Sequence, residues 1–360
     1  MREPEQYTDT PSHEAQLWID VKLHFASDVS VPRHSTSSMR KVESGRSTLA
    51  ENQAVAEGVP HIVHATRATA SSSSRGCPTK PACRAASRCA GRRRRDRLSR
   101  VATVLIPLPR ADFDPTEAGV PWRVLTQAGH RCVFATPDAA PARADPRMLE
   151  GVGLGWLSPV LRAQANAVAD HDRMASSAEF RAPLAWADVA DGVAQGRFDA
   201  LLLPGGHAPG MREYLESAPL QSAVAAFFAA DKPVAAICHG TVLAARSQVT
   251  QGAHAGRSVL YGRRTTGLTR QLEMLAWRLT RRRLGDYYRT YPQTVQDEVT
   301  ASLQSPLDFL VGLPALLRDS DRLRRVGFTV RDGRYLSARW PGDAHRFAHE
   351  LVGMLAEPRA

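Results

Sequence analysis

From Val101 onward, short apolar runs alternate with longer stretches of mixed polarity. "VATVLIPL" (101–108) predicts a buried strand, and "DPTEAGVPWRVLTQAG" (114–129) has the apolar spacing of a helix that closes near Gly129. "RCVFATPDA" (131–139) predicts a second strand. The Ala- and Asp-rich stretch that follows, about 139–196, is too long for a plain loop and predicts a helical insertion. "FDALLLPGG" then predicts a third strand ending in a Gly-Gly turn, "APLQSAVAAFFAADK" a helix, "PVAAIC" a fourth strand and "HGTVLAARS" the helix after it. Past Ser258 the pattern loosens. "TRQLEMLAWRLTRRRLGDYY" predicts an amphipathic helix with Arg281, Arg282 and Arg283 on a solvated face. "VGFTVRDGRYLSARW" predicts a hairpin turning at Asp332-Gly333, and "PGDAHRFAHELVGML" a closing helix that starts near Pro341. Apolar strands alternating with helices imply a parallel sheet covered on both faces, so residues 98–360 are expected to form one α/β sandwich.

Residues 1–97 have no sustained period, and "ATASSSSRGCPTKPACRAASRCAGRRRR" is Ser/Ala/Arg-biased low complexity. Such a segment buries too little apolar area to offset its ordering entropy, so it is expected to be a disordered extension, or upstream sequence carried by a mis-assigned start codon. A transit peptide fits poorly, because residues 1–57 hold nine acids. The extension also changes the meaning of the net charge of +11: residues 1–100 hold 17 Lys and Arg against 10 Asp and Glu, which leaves the remainder close to balance. A basic run without a folded reading surface argues against a nucleic-acid partner. No apolar run has the roughly 18 to 20 residues that span a bilayer, and the N-terminus is charged where a signal peptide is apolar, which implies a soluble, cytoplasmic protein with no membrane partner. Five cysteines, Cys77, Cys83, Cys89, Cys132 and Cys238, include no CxxC pair and suit free thiols in a reducing compartment. Neither a metal site nor a cofactor is expected; the even spacing of the first three cysteines lacks the tighter pairs and further ligands of a zinc site.

The chemistry centres on "KPVAAICHGTVLAAR" (232–246), where an apolar strand stops at Cys238 and His239 and a small-residue helix begins. Ala236 and Gly240 flank the cysteine with small side chains, the form of a nucleophile elbow. The new helix offers N–H groups and partial positive charge, so the thiol is expected to be rich in thiolate near neutral pH. A buried, inert strand-end cysteine is the plainer alternative. His239 could serve as base and acid toward the thiol or the substrate. The turn Pro204-Gly205-Gly206-His207 ends the neighbouring strand at the same sheet edge; Gly205 and Gly206 could offer N–H groups to an oxyanion, and with His207 they are the residues expected to bind the oxyanion or the substrate.

"FDALLLPGGHAPGM" followed by "KPVAAICHG" resembles the ThiJ/PfpI superfamily, whose core is of the class I glutamine amidotransferase-like, flavodoxin-like type with helices on both faces. The long inserts, the "GGH" turn and "FATPDA" resemble its heat-shock glyoxalase III branch more than its compact peptidases. The likeness covers about Val101 to Leu355 and is strongest over 198–247. It implies that Cys238 is the nucleophile, that His239 assists it, and that Glu117, four residues before Pro121 in "TEAGVP", is the acid beside the cysteine. On residues alone Glu117 reads as a first-turn charge complementing the helix dipole. Gly210 stands near the point where compact peptidases carry a glutamate, with Glu213 out of register. Thr269, Gln271 and Glu273 lie where an orienting acid for His239 would be sought, and no His-x-Glu pair of a true amidotransferase follows the elbow. The function implied is a cofactor-free, cysteine-dependent enzyme on small reactive carbonyls in a stress response, a lyase turning methylglyoxal into lactate or a deglycase hydrolysing early glycation adducts. A PfpI-like cysteine peptidase or amidase and a redox-sensing chaperone are the alternatives, and the resemblance also implies a possible homodimer.

Overall fold

The computed structural model describes residues 101–314 and 317–358. The expectation for residues 1–97 therefore falls outside the described residues; the chain divides between Arg97 and Leu98. The described part begins with β1 (Thr103–Pro107), the short β2 (Ala111–Phe113), helix α1 (Pro115–Gln127) and β3 (Arg131–Thr136). The stretch expected to be a helical insertion contains β4 (Arg143–Ala144), α2 (Pro146–Glu150), α3 (Ser158–Leu161), α4 (Ala165–Ala175), α5 (Ala178–Arg181), β5 (Leu184–Ala185) and α6 (Val189–Ala194). The chain continues through β6 (Ala200–Leu203), α7 (Met211–Leu215), α8 (Ala218–Ala229), β7 (Val234–Ile237) and α9 (Gly240–Arg246). It ends with α10 (Arg270–Leu284), α11 (Val295–Ser302), β8 (Thr329–Asp332), β9 (Tyr335–Ala338) and α12 (Ala344–Leu355).

Seven strands form one sheet in the order β5-β3-β1-β6-β7-β9-β8. Every neighbouring pair is parallel except β8 with β9. The parallel centre follows from composition: "ALLL" of β6 and "VAAI" of β7 are buried at every position, as strands covered on both faces must be. Helix α1 packs against α4 and α12 in one layer, while α6, α8, α9 and α11 pack together in the other. The C-terminal hairpin forms as expected, with its turn moved one residue on: Asp332 pairs with Tyr335, leaving Gly333, at φ 58°, and Arg334 to reverse the chain. That hairpin places β9 beside β7 and gives the sheet its antiparallel edge.

Two local features carry the site. The start of α1 is held by Asp114, whose Oδ1 accepts the N–H groups of Thr116 at 2.8 Å and Glu117 at 3.1 Å, with Pro115 at the first helical position. Both β6 and β7 run out at the same sheet edge, and each hands over to a turn rich in small residues: Pro204-Gly205-Gly206 after β6, and Cys238-His239-Gly240 after β7.

Candidate active site

Cys238 occupies the bend between β7 and α9 with φ at +56°, a left-handed conformation unusual for a non-glycine residue and of the strained kind found at functional sites. Its N–H donates to Ala338 O at 3.1 Å, so β9 continues to pair with the chain past the end of β7. Thr241 Oγ1 donates back to Cys238 O at 2.7 Å and locks the bend. Gly240 is demanded by crowding: a Cβ there would lie 2.1 Å from Leu203 O. Gly205 is demanded likewise, since its Cβ would meet His239 N at 2.7 Å and Glu117 Oε2 at 2.8 Å. The two turns pass so closely that only glycine fits at their crossing.

The side chains expected at the site are brought together and buried: Cys238 and Glu117 are fully buried, His239 is 1% exposed and His207 8%. Glu117 Oε2 accepts the Gly205 N–H at 2.8 Å, while Oε1 has no conventional partner. The carboxyl and the thiol lie near enough for each to shift the other. Burial holds Glu117 well above the usual carboxylate range, and the nearby Asp114 adds to it. Both effects favour the protonated form of the acid. Because Oε2 accepts from Gly205, the proton belongs on Oε1, the oxygen without another partner. This geometry changes one expectation: the Gly205 N–H, foreseen as an oxyanion donor beside Gly206, is committed to Glu117.

A second expectation is corrected by the electrostatics. Burial pushes the Cys238 thiol well above its ordinary value, and Glu117 and Asp114 push the same way; the backbone N–H of His239 opposes them too weakly. Desolvation of the charge in this closed site thus favours the thiol and opposes the pull of the helix end.

The proton must then go to a base, and the hydrogen bonds of His239 identify it. Thr290 Oγ1 donates its one proton to His207 O at 2.6 Å, so toward His239 Nε2, 3.1 Å away, it can only accept. Nε2 therefore carries the hydrogen, and Nδ1, 3.5 Å from Cys238 Sγ, presents a lone pair to the thiol. Burial, with His207 and Arg246 nearby, drives His239 well below its ordinary value and keeps that lone pair free. His207 is pushed down to about 4 by burial, packs edge-on against His239 and Tyr288, and has a buried Nδ1 without a partner. His207, Cys238 and His239 each offer a ligand atom within 4.8 Å of the others, so among the described residues these three could hold a metal ion.

The orienting acid sought among Thr269, Gln271 and Glu273 is not there. Thr269 caps α10 through Leu272 N, Gln271 is exposed, and Glu273 Oε2 accepts Val295 N at 2.9 Å. Thr290, in the irregular segment between α10 and α11, takes that place with a neutral hydroxyl. No sequence pattern marks it, because one threonine in a loop carries no spacing signal. The glutamate of compact peptidases is also missing: Gly210 donates its N–H to Asp112 Oδ2 at 2.9 Å, and Glu213 pairs with the exposed Arg110.

A family model described as "ThiJ/PfpI family-like" matches residues 108–298, more than half of the chain. The chain belongs to this family. An uncharacterized protein from Schizosaccharomyces pombe is 30% identical over 156 residues, 43% of this chain and 55% of that protein. The chain thus spans about half the length of the curated relative it matches. Among solved structures, the Rapid Encystment Protein 24 KDa of Francisella tularensis aligns over 71% of this chain and 99% of its own, at 15% identity and a TM-score of 0.50. Another solved chain gives 0.52 at 20% identity, over 71% and 98%. These two share the ThiJ/PfpI-like fold at the level of architecture. Glyoxalase III of Candida albicans aligns more loosely, with a TM-score of 0.47 at 16% identity over 70% and 97%.

Proposed function

We propose that the protein is a cofactor-free, cysteine-dependent enzyme that isomerises and hydrates small 2-oxoaldehydes, with methylglyoxal converted to lactate as the reference reaction. The observation that carries the reading is geometric: the Cys238 sulfur lies 3.5 Å from His239 Nδ1, with the buried Glu117 carboxyl, held by the Gly205 N–H, beside it. The Sγ–H bond breaks as the sulfur adds to the aldehyde carbon; His239 Nδ1 takes the proton and the Glu117 carboxyl supplies one to the developing oxyanion. The hemithioacetal then loses its C1 proton to a base of this pair and regains one at C2, while its hydroxyl proton passes to the C2 oxygen, giving a lactoyl thioester on Cys238. Water cleaves that thioester, releasing lactate and restoring the thiol. No electron leaves the substrate, since C1 is oxidised as C2 is reduced. The Gly206 and His239 N–H groups are the donors proposed for the oxyanion.

Burial speaks against the alternatives. A peptide cannot reach a sulfur that is fully buried, and redox-sensing cysteines are exposed and low in pKa where this one is neither. The test is lactate formation from methylglyoxal by the purified full chain. Wild type is expected to turn over, while Cys238→Ala and His239→Ala lose at least about a thousandfold in kcat/KM. Full activity in Cys238→Ala, or none in wild type, would sink the reading.

A further inference from the structure

The two histidines and the cysteine make an arrangement that the aldehyde chemistry does not require. His207 has no step in that chemistry, yet it is nine-tenths buried, its Nδ1 has no hydrogen-bond partner, and it offers a ligand atom within 4.8 Å of those of Cys238 and His239. A tetrahedral zinc ion with ordinary Zn–S and Zn–N bond lengths separates its sulfur and nitrogen ligands by about 3.6 Å. Cys238 Sγ and His239 Nδ1 stand at 3.5 Å. We propose that Cys238, His239 and His207 form a binding site for a borderline-soft divalent cation, Zn2+ in the first instance, with three protein ligands and one open position.

Three further features fit that assignment. The donor set, one thiolate sulfur and two imidazole nitrogens, is the chemistry that selects zinc over magnesium or calcium, which take oxygen. His239 donates its far N–H to Thr290 Oγ1, the outer hydrogen bond that fixes the tautomer and the ring plane of a metal-binding histidine. The same hydroxyl donates to His207 O, so one side chain braces the segments that carry both histidines. The third ligand needs little movement, since the largest separation the three atoms allow exceeds the tetrahedral value by no more than about 1.2 Å from the sulfur and about 1.5 Å between the nitrogens. Entry is on the His207 side, where the residue keeps 8% of its surface against 1% or less for the other two. The proposal is independent of the aldehyde reading: an ion here would hold the sulfur and the base that the reaction uses, and loading the site would stop turnover.

The experiment uses the metal-free full chain, with Co2+ as a spectroscopic stand-in followed by Zn2+ in calorimetry. Expected are one ion per chain, a tetrahedral cobalt spectrum with a sulfur-to-cobalt charge-transfer band, and displacement of Co2+ by Zn2+. Cys238→Ser should lose the charge-transfer band, and His207→Gln should weaken Zn2+ binding at least about a hundredfold while melting near wild type. The triple variant Cys77→Ser, Cys83→Ser, Cys89→Ser should bind as wild type does. Binding that survives Cys238→Ser, or is lost only in the triple variant, or is octahedral without a sulfur band, overturns the proposal; if His207→Gln unfolds, Cys238→Ser decides alone. Lactate formation is followed separately on the metal-free protein. Zinc binding without turnover defeats the aldehyde reading alone, and turnover without zinc binding defeats this proposal alone.

Discussion

Thr290 shows how one hydroxyl can set the protonation pattern of a site. Its proton is fixed on His207 O, which makes it an acceptor for His239 Nε2 and turns the basic nitrogen of His239 toward the sulfur. Thr290→Val is accordingly expected to lower kcat on methylglyoxal about a hundredfold with little change in KM, and Thr290→Ser to restore it; steady-state kinetics of the two variants checks this. A purely structural role would lower the melting temperature and leave the kcat-to-KM split unmoved. His207 makes a second prediction at this scale. Its value falls from 6.5 in the unfolded chain to about 4 in the fold, so the unfolded state binds the proton first as pH drops. Stability from this group is complete above pH 6.5 and is lost as pH falls toward about 4. His207→Gln should flatten that part of a melting-temperature profile. Cys132 is the useful contrast: it too is buried and pushed up, to about 12, by burial with Glu179 adding to it, but it lies within β3 as part of the hydrophobic core. Burial of a cysteine is thus no mark of chemistry until its neighbours are known.

At the scale of elements, the elbow and its partner turn were legible in the sequence because each is local. "PVAAIC" shows an apolar run, "CHG" a bend, and "LLLPGG" a strand meeting glycines, and the close crossing of the two turns explains Gly205 and Gly240. Gly240→Ala forces a Cβ toward Leu203 O and is expected to destabilise the fold by about 3 kcal/mol or more, read as a lowered urea midpoint. What was not legible depends on contacts between distant segments. Glu117 could be placed at a helix start from its own surroundings, but its hold on the Gly205 N–H arises only because β6 lies beside β1. The same holds for the thiol: the spacing shows a helix N-terminus, while the burial that outweighs it comes from the other layers. Thr290 was out of reach for a related reason, since the loop that carries it is positioned by α10 and α11 and not by any period of its own.

For the whole molecule, alternation of apolar runs and helices was enough to read the layered parallel sheet, and the family match over 108–298 agrees with where that alternation is clearest. The late hairpin, the least periodic part, was readable from its glycine turn alone, which is why its bend shifted by a residue while its pairing did not. We propose that the segment from Leu98 is self-sufficient: a chain starting there should be soluble, melt within a few degrees of the full chain and keep its lactate-forming activity. An insoluble product would place the boundary elsewhere. Among the described residues, no helix is long and apolar enough to cross a membrane.

The hydrogen bond from Cys238 N to Ala338 O has a consequence for biosynthesis. The strand that accepts this bond is synthesised about a hundred residues after Cys238, so the bend at the elbow cannot complete its backbone bonding until the C-terminal hairpin has been made.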